Sequence, residues 1–377
     1  MSHYTFHVLG VPFTATARKY LGDAMTQNVF NMCRMLVRLG HKVYHYGNHG
    51  SDVDCFENVE IFTANEMLKI YDNGADVRLS PNGFYAKGTK ALYEEFIRRV
   101  TQKVGKRKKT NDFLLGVRYP HPEVTKHHAD MIYVHHSVGH MEPGPPATIF
   151  ASEYIRNLTL GVKLAQTQNI GNDPRSAVIP HMIYSEEFEP SYESENYFLF
   201  LGRLSPEKGL DIAIRVCSLL EKKLIIAGQG DISGYPALPA CCEYIGYVDD
   251  IKQRNALLRK AEALIMPSRY EAFGMAAVEA LMSGVPLLTS DFASFPEINQ
   301  HGITGYRCST VAEFVVAGKN IRSISRKKCR NVAEEKFSFQ ALAPLYRHYF
   351  ERLFALHTGN NETPWFNTED LIDITHQ

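Results

Sequence analysis

Pro267-Ser-Arg-Tyr-Glu-Ala-Phe-Gly-Met-Ala-Ala-Val-Glu-Ala-Leu281 follows the apolar run Ala263 to Met266, and Gly284 comes soon after it. The run is short enough to be a strand buried on both faces. Residues 268–273 read as a loop. A helix opens near Gly274 and runs to Ser283, where Gly284 closes it. The first N–H groups of such a helix have no partner within the helix, and they form a natural seat for phosphate. Glu279 lies about 7–8 Å along the helix from Gly274, at roughly 1.5 Å per residue. That is near the separation of a β-phosphate from the ribose of the same nucleotide. A carboxylate suits paired ribose hydroxyls, because it accepts two hydrogen bonds. Glu271 lies on the other side of the seat, where a sugar attached to the diphosphate would sit. Taken alone, Glu279 is equally well a solvated helix carboxylate.

Working outward, strands and helices alternate. Asn196 to Leu201 reads as a strand, Gly209 to Leu220 as a helix and Lys223 to Ala227 as a strand. Asp250 to Lys260 is a helix, and Val285 to Thr289 a strand. This alternation predicts a doubly wound α/β domain. Leu201-Gly-Arg-Leu-Ser-Pro-Glu-Lys-Gly209 places Arg203 and Lys208 in a loop at a strand's carboxyl end, which suits a diphosphate. Ala227-Gly-Gln-Gly-Asp231 is a second strand followed by a glycine turn, where Gly228 and Gly230 let backbone approach a ligand.

The first half has the same character. Tyr4 to Leu9 reads as a strand. Leu21, Met25, Val29, Met32, Leu36 and Leu39 fall on one face of a helix that Gly40 stops, and Lys42 to Tyr46 is a second strand. A strand, helix and strand in this spacing predict a parallel sheet. Ala91 to Val104 reads as a helix. Phe113 to Val117 and Met131 to Val134 read as strands. Ser185 to Glu195 is acidic and contains Pro190, as an interdomain linker would. The expected organisation is a first domain over residues 1–185, a second over 186–340, a helix over 341–357 and a polar tail over 358–377. Two such domains place a ligand cleft between the carboxyl ends of their strands.

Composition narrows the classes. In 377 residues, 41 Lys+Arg balance 41 Asp+Glu, and 45% of residues are hydrophobic. A dedicated nucleic-acid binder carries a basic excess, so no nucleic-acid partner is expected. The seven scattered cysteines include no C-x-x-C and suit a reducing compartment. No apolar stretch reaches the ~18 residues of a membrane span, and the N-terminus reads as no signal peptide. A cytoplasmic protein is expected. His121, His127, His128, His135, His136 and His140 cluster, but no accompanying Glu completes a metal motif, so hydrogen-bonding histidines are expected. Asp52-Val-Asp54 reads as surface. The run Lys103, Lys106, Arg107, Lys108 and Lys109 reads as a solvated helix end, with contact to an acidic acceptor or membrane as the sharper reading.

Gly202-Arg203, Lys208-Gly209, Gly228-Gln-Gly230, Glu271-x7-Glu279, Ser290-Asp291 with Phe295-Pro-Glu297, and Gly302-Ile-Thr-Gly305 stand in this order within residues 178–306. Together they resemble the donor half of the retaining glycosyltransferases of family 4. The chain's overall character also resembles glycosyltransferases encoded by large algal DNA viruses. The family resemblance implies the GT-B fold, two Rossmann-like doubly wound domains facing a central cleft, with a C-terminal helix crossing back onto the first domain. It implies a nucleotide-sugar donor, UDP- before GDP-, a hydroxyl acceptor such as a glycan, and no metal or other cofactor. Catalytic roles fall on Glu271, Arg203 and Lys208, and donor contacts on Gly202, Gly228, Gly230, Phe273, Gly274, Met275 and Glu279. The family's sugar-contacting His at the end of a first-domain strand falls on His135 or His136, with His136 favoured. The family's first-loop Gly-Gly is replaced here by Gly10-Val-Pro-Phe-Thr-Ala-Thr-Ala17, where Gly10 is the donor candidate. Its Pro-Asn-Gly at the domain junction is replaced by Pro180-His181-Met182. The alternatives are a catalytically silent nucleotide-sugar binder, a phosphorylase or an epimerase.

Overall fold

The computed structural model describes residues 3–70, 89–117, 121–137, 139, 147–167, 175–235 and 238–359. Two parallel sheets organise them. The first holds β1 (Thr5–Leu9), β2 (Lys42–Gly47), β3 (Glu57–Glu60), β4 (Phe113–Val117), β5 (Ile132–Ser137), β6 (Thr148–Phe150) and β7 (Ala177–Val178). Their order is β3-β2-β1-β4-β5-β6-β7, and every pairing is parallel. Its helices are α1 (Ala24–Arg38), α2 (Ala64–Ile70), α3 (Thr89–Gly105), α4 (Pro122–His127) and α5 (Glu153–Thr167).

The second sheet holds β8 (Tyr197–Leu201), β9 (Lys223–Ala227), β10 (Cys242–Gly246), β11 (Ala263–Met266), β12 (Leu287–Ser290) and β13 (Gly305–Cys308). Its order is β10-β9-β8-β11-β12-β13, again parallel throughout. Helices α6 (Leu210–Leu220), α7 (Ile251–Lys260), α8 (Met275–Met282), α9 (Phe295–Ile298), α10 (Val311–Asn320) and α11 (Arg326–Phe337) belong to this half, and α12 (Phe339–His357) closes the described chain. The strand order reverses at β1 in one sheet and at β8 in the other. The loops that follow these two strands therefore stand at topological switch points, where open α/β sheets bind ligands.

Local chemistry explains the elements. All five residues of β8 are buried, as expected of a strand covered on both faces. Asp23 starts α1 by accepting from the N–H groups of Met25 and Thr26, and Gly40 follows the helix at φ +83°. Leu342, Tyr346, Tyr349, Phe350 and Leu353 bury one face of α12 in the core of the first sheet, not the second. There the rings of Phe6 and Phe113 stack at 4.8 Å, and Phe350 stands edge-on to them at 4.8 and 5.3 Å. Burying each such ring contributes about 2–3 kcal/mol.

The acidic segment after β7 is not free. Ser185–Glu187 forms one 3₁₀ turn. Arg34 of α1 reaches Glu187 at 2.6 Å and Glu186 at 3.1 Å, Arg38 reaches Glu186 at 2.7 Å, and Arg18 pairs with Glu187. The chain is thus docked on α1 as it passes between the sheets. No helix among the described residues is long and apolar enough to cross a membrane. The tail beyond Gly359 lies outside the described residues.

Candidate active site

The loops after β8, β9 and β11 converge. Gly202 N–H donates to Ala227 O at 3.0 Å, and Leu204 N–H donates to Gln229 O at 2.8 Å, which ties the first two loops together. Gly228 and Gly230 are required by this packing. A Cβ on Gly228 would lie 1.7 Å from Gly202 O, and one on Gly230 (φ +140°) would lie 2.7 Å from Leu204 Cβ. A Cβ on Gly202, by contrast, would meet open space.

Pro206–Lys208 makes a short 3₁₀ turn that delivers Lys208 toward the loop after β11. Lys208 Nζ donates to Glu271 Oε2 at 2.7 Å, and both side chains are mostly buried. Arg203 is exposed, with the Glu207 carboxylate 3.9 Å away. Gly274, at φ +96°, leads into α8, and no side chain caps that helix. Gly274, Met275 and the helix dipole therefore present a positive backbone terminus beside the Lys208–Glu271 pair. Phe273 is buried. Its ring stands edge-on to His181 at 5.0 Å and to Phe337 at 5.8 Å, packed inside the protein.

Other expected residues lie differently. Glu279 is 7% exposed and pairs with Arg254 of α7. Gly10 is buried, and its N–H donates to Tyr46 O at 2.9 Å, which leaves that donor unavailable to a ligand. His136 is fully buried. Its Nδ1 pairs with Asn28 Nδ2 at 2.7 Å and its Nε2 with Tyr346 Oη at 2.9 Å, so both ring nitrogens are used inside the protein. Burial holds the His136 imidazole neutral, well below its ordinary pKa. The adjacent His181 stacks on it at 5.2 Å. His135 lies on the opposite face of β5, with Tyr133, and is 3% exposed. His140 lies outside the described residues. Asp52-Val-Asp54 is half-buried to exposed. In the basic run, Arg107 pairs with Glu57 and Lys108 with Asp130. Among the described residues, no group of three or more His, Cys, Asp or Glu could hold a metal ion.

The loop that replaces the expected glycine pair is held by side chains. Asn48 donates to Pro12 O and Thr14 O, and Gln27 donates to Ala17 O, Arg18 O and Tyr20 O. His45 Nε2 pairs with Thr16 Oγ1 at 3.0 Å. Both ends of the cleft are bridged. At one end Gly22 N–H donates to Tyr247 Oη at 3.0 Å. At the other, Glu297 accepts from the N–H groups of Glu153 and Tyr154 at 2.8 and 3.0 Å, and Ser152 Oγ donates to Ala272 O at 2.6 Å. Tyr270 Oη donates to Gly139 O at 2.9 Å.

Sequence reasoning did not single out Arg254 or the bridging role of Glu297. Arg254 had a signal: it stands three residues after Ile251 and four before Leu258, within the apolar stripe of α7. A cation at such a position calls for a buried partner.

Residues 185–335 match the family described as "Glycosyl transferases group 1". An uncharacterized glycosyltransferase of Methanocaldococcus jannaschii is 34% identical over 128 residues, 30% of this chain and 32% of that protein. The matched stretch thus spans about a third of that relative. A glycosyltransferase involved in avilamycin A biosynthesis superposes with a TM-score of 0.68 at 16% identity, covering 93% of this chain and 98% of that one. Anabaena HepE, solved in complex with UDP-glucose, superposes with a TM-score of 0.62 at 13% identity, covering 93% and 100%. The two facing parallel sheets are therefore those of the GT-B fold.

Proposed function

We propose that the chain is a retaining glycosyltransferase of the family 4 type. It moves a hexose from a nucleoside-diphosphate sugar, UDP before GDP, to a hydroxyl of a glycan or other acceptor, without a metal ion. The observation that carries this reading is the Lys208–Glu271 pair at 2.7 Å beside the start of α8. It lies within the segment that matches the glycosyl transferase group. The UDP-glucose held by the similarly folded HepE supports the choice of base.

In this reading the donor's diphosphate lies against Lys208, Arg203 and the N–H groups at Gly274 and Met275. The bond between the anomeric carbon and the β-phosphate oxygen breaks, and negative charge grows on that oxygen. Fixed cations and a helix terminus stabilise it without reorganising. The acceptor oxygen attacks from the same face. It bonds to the anomeric carbon, and its proton passes to the departing phosphate. Glu271 holds the sugar's hydroxyls and offsets positive charge on the ring. Glu279 accepts from the ribose. His136 acts as a positioning residue, joining β5, α1 and α12 behind the loop of Phe273.

The test is incubation with labelled UDP-glucose and GDP-mannose and a panel of glycan acceptors, followed by proton NMR of the product. Transfer with the donor's anomeric configuration kept is the expected result. Inverted product overturns the retaining assignment. Binding with neither transfer nor slow donor hydrolysis overturns the enzymatic one.

A further inference from the structure

We propose that Arg254 is a positioning residue for the donor's ribose, acting through Glu279. This rests on the reading above, which gives Glu279 the ribose. Arg254 and Glu279 lie on the neighbouring helices α7 and α8, and each is only 7% exposed. The guanidinium takes Glu279 Oε2. Among the described residues, no hydrogen bond reaches Oε1. Arg254 Nε is buried and has no hydrogen-bond partner.

A buried ion pair is weak evidence for stability, because desolvating two charges offsets much of their attraction. A pair joined at one carboxylate oxygen, with a buried donor unused, is a poor structural tie. It is a good device for aiming the second oxygen. Without Arg254, neither carboxylate oxygen would have a side-chain donor to hold it, and the carboxylate would choose among rotamers. With Arg254, Oε2 is fixed and Oε1 is presented as an acceptor. A vicinal ribose diol is the ligand chemistry that needs an oriented acceptor there. The backbone frames the arrangement. Asp250 caps α7 by accepting from Gln253 N–H at 2.7 Å, and Asn255 donates to Glu187 O at 2.6 Å, so the helix that carries Arg254 is tied to the interdomain segment.

Calorimetry with UDP and with 2′-deoxy-UDP tests this, with GDP and 2′-deoxy-GDP as a parallel arm. The wild type should bind the ribonucleotide tighter by about tenfold or more, the scale of one charge-assisted hydrogen bond. Glu279→Gln should bring that ratio close to one. Arg254→Leu should do the same, with circular dichroism confirming a folded chain. Arg254→Lys keeps a charge but lacks the guanidinium fork, and should give an intermediate ratio. If Arg254→Leu or Arg254→Lys keeps the wild-type ratio while Glu279→Gln loses it, the positioning role is wrong and the ribose reading stands. If Arg254→Leu does not fold, the Arg254→Lys ratio decides. If Glu279→Gln keeps the ratio, or no nucleotide binds, the ribose reading fails and this inference fails with it.

Discussion

Lys208 Nζ and Glu271 Oε2 stand 2.7 Å apart, although 63 positions separate the two residues in the chain. Each therefore fixes the other at the point where the loops after β8 and β11 meet. In the proposed reaction Lys208 serves the diphosphate and Glu271 the sugar, so the pair straddles the bond that breaks. Glu271→Gln keeps the size but removes the charge. Transfer should fall by about 10²-fold or more, the scale of one preorganised electrostatic group. UDP affinity should hold or rise slightly, since Lys208 loses a competing anion. A variant with near-normal turnover and a lowered melting temperature would make Glu271 a structural residue only.

The converse substitution has the opposite signature. Lys208→Met removes the cation and leaves Glu271 without its partner. UDP should bind about tenfold or more weakly, since a charge-assisted hydrogen bond contributes roughly 1.5–3 kcal/mol. Calorimetry on the two single variants separates the roles. Equal losses of UDP affinity in both would contradict the division of labour.

Charge stabilisation by Arg203, Lys208 and the start of α8 also predicts that a chelator does nothing. Activity in EDTA should match the untreated rate. Loss in EDTA, restored by a divalent ion, would return the histidine segment or Asp52-Val-Asp54 to consideration.

Four strands of the second sheet were legible as largely apolar runs between turn residues, whereas β10 (Cys-Glu-Tyr-Ile-Gly) and β13 (Gly-Tyr-Arg-Cys) interleave polar residues and were not read. Lys223 to Ala227 and Ala263 to Met266 are observed with the expected bounds. In the first half, β3 (Glu-Asn-Val-Glu) buries only Val59, β6 has three residues, and α5 buries only Ile155 and Thr159 in its described face, so none carries a strong period. The convergence of Gly202, Lys208, Glu271 and Gly274 followed from reading loops at strand ends. The enclosure of His136 did not, because its partners Asn28 and Tyr346 lie 108 and 210 positions away. Gly228 and Gly230 illustrate a subtler case. Both stand in the expected loop, yet loop-to-loop packing suffices to require them.

Stability should fall as pH drops below neutrality. Burial pushes His45 and His181 down to about 4 and His121 to about 3, and it lowers His136 well below its ordinary value. Above about pH 6.5 these rings are neutral folded and unfolded, and they cost nothing. Below it, the unfolded chain takes up protons that the fold excludes until about pH 4. The stability is thus present above the unfolded pKa and is lost as pH falls, by up to about 1.4 kcal/mol per pH unit for each such ring. Urea midpoints at pH 7.5, 6 and 5 should decline in that order. A flat series would mean the rings are accessible.

The last prediction concerns how the two halves are held. Glu297 on α9 accepts from Glu153 N–H and Tyr154 N–H at 2.8 and 3.0 Å, at the start of α5 on the other side of the cleft. A carboxylate there satisfies two otherwise unpaired donors and opposes the positive end of a helix dipole. It does so between domains, so its contribution sets their relative position more than the stability of either. Ser152 adds a second tie through Ala272 O at 2.6 Å, next to Glu271. Closing the cleft over a donor excludes water and brings the acceptor side to the sugar. Glu297→Ala removes a cap of roughly 1–2 kcal/mol, enough to shift an open-to-closed ratio by about tenfold. Small-angle scattering should show a larger radius of gyration. Turnover should drop by about the same factor, while UDP, whose contacts in the proposed reading all lie in the second domain, should keep its affinity. Unchanged scattering together with unchanged turnover would reduce the Glu297 contact to packing that happens to cross the cleft.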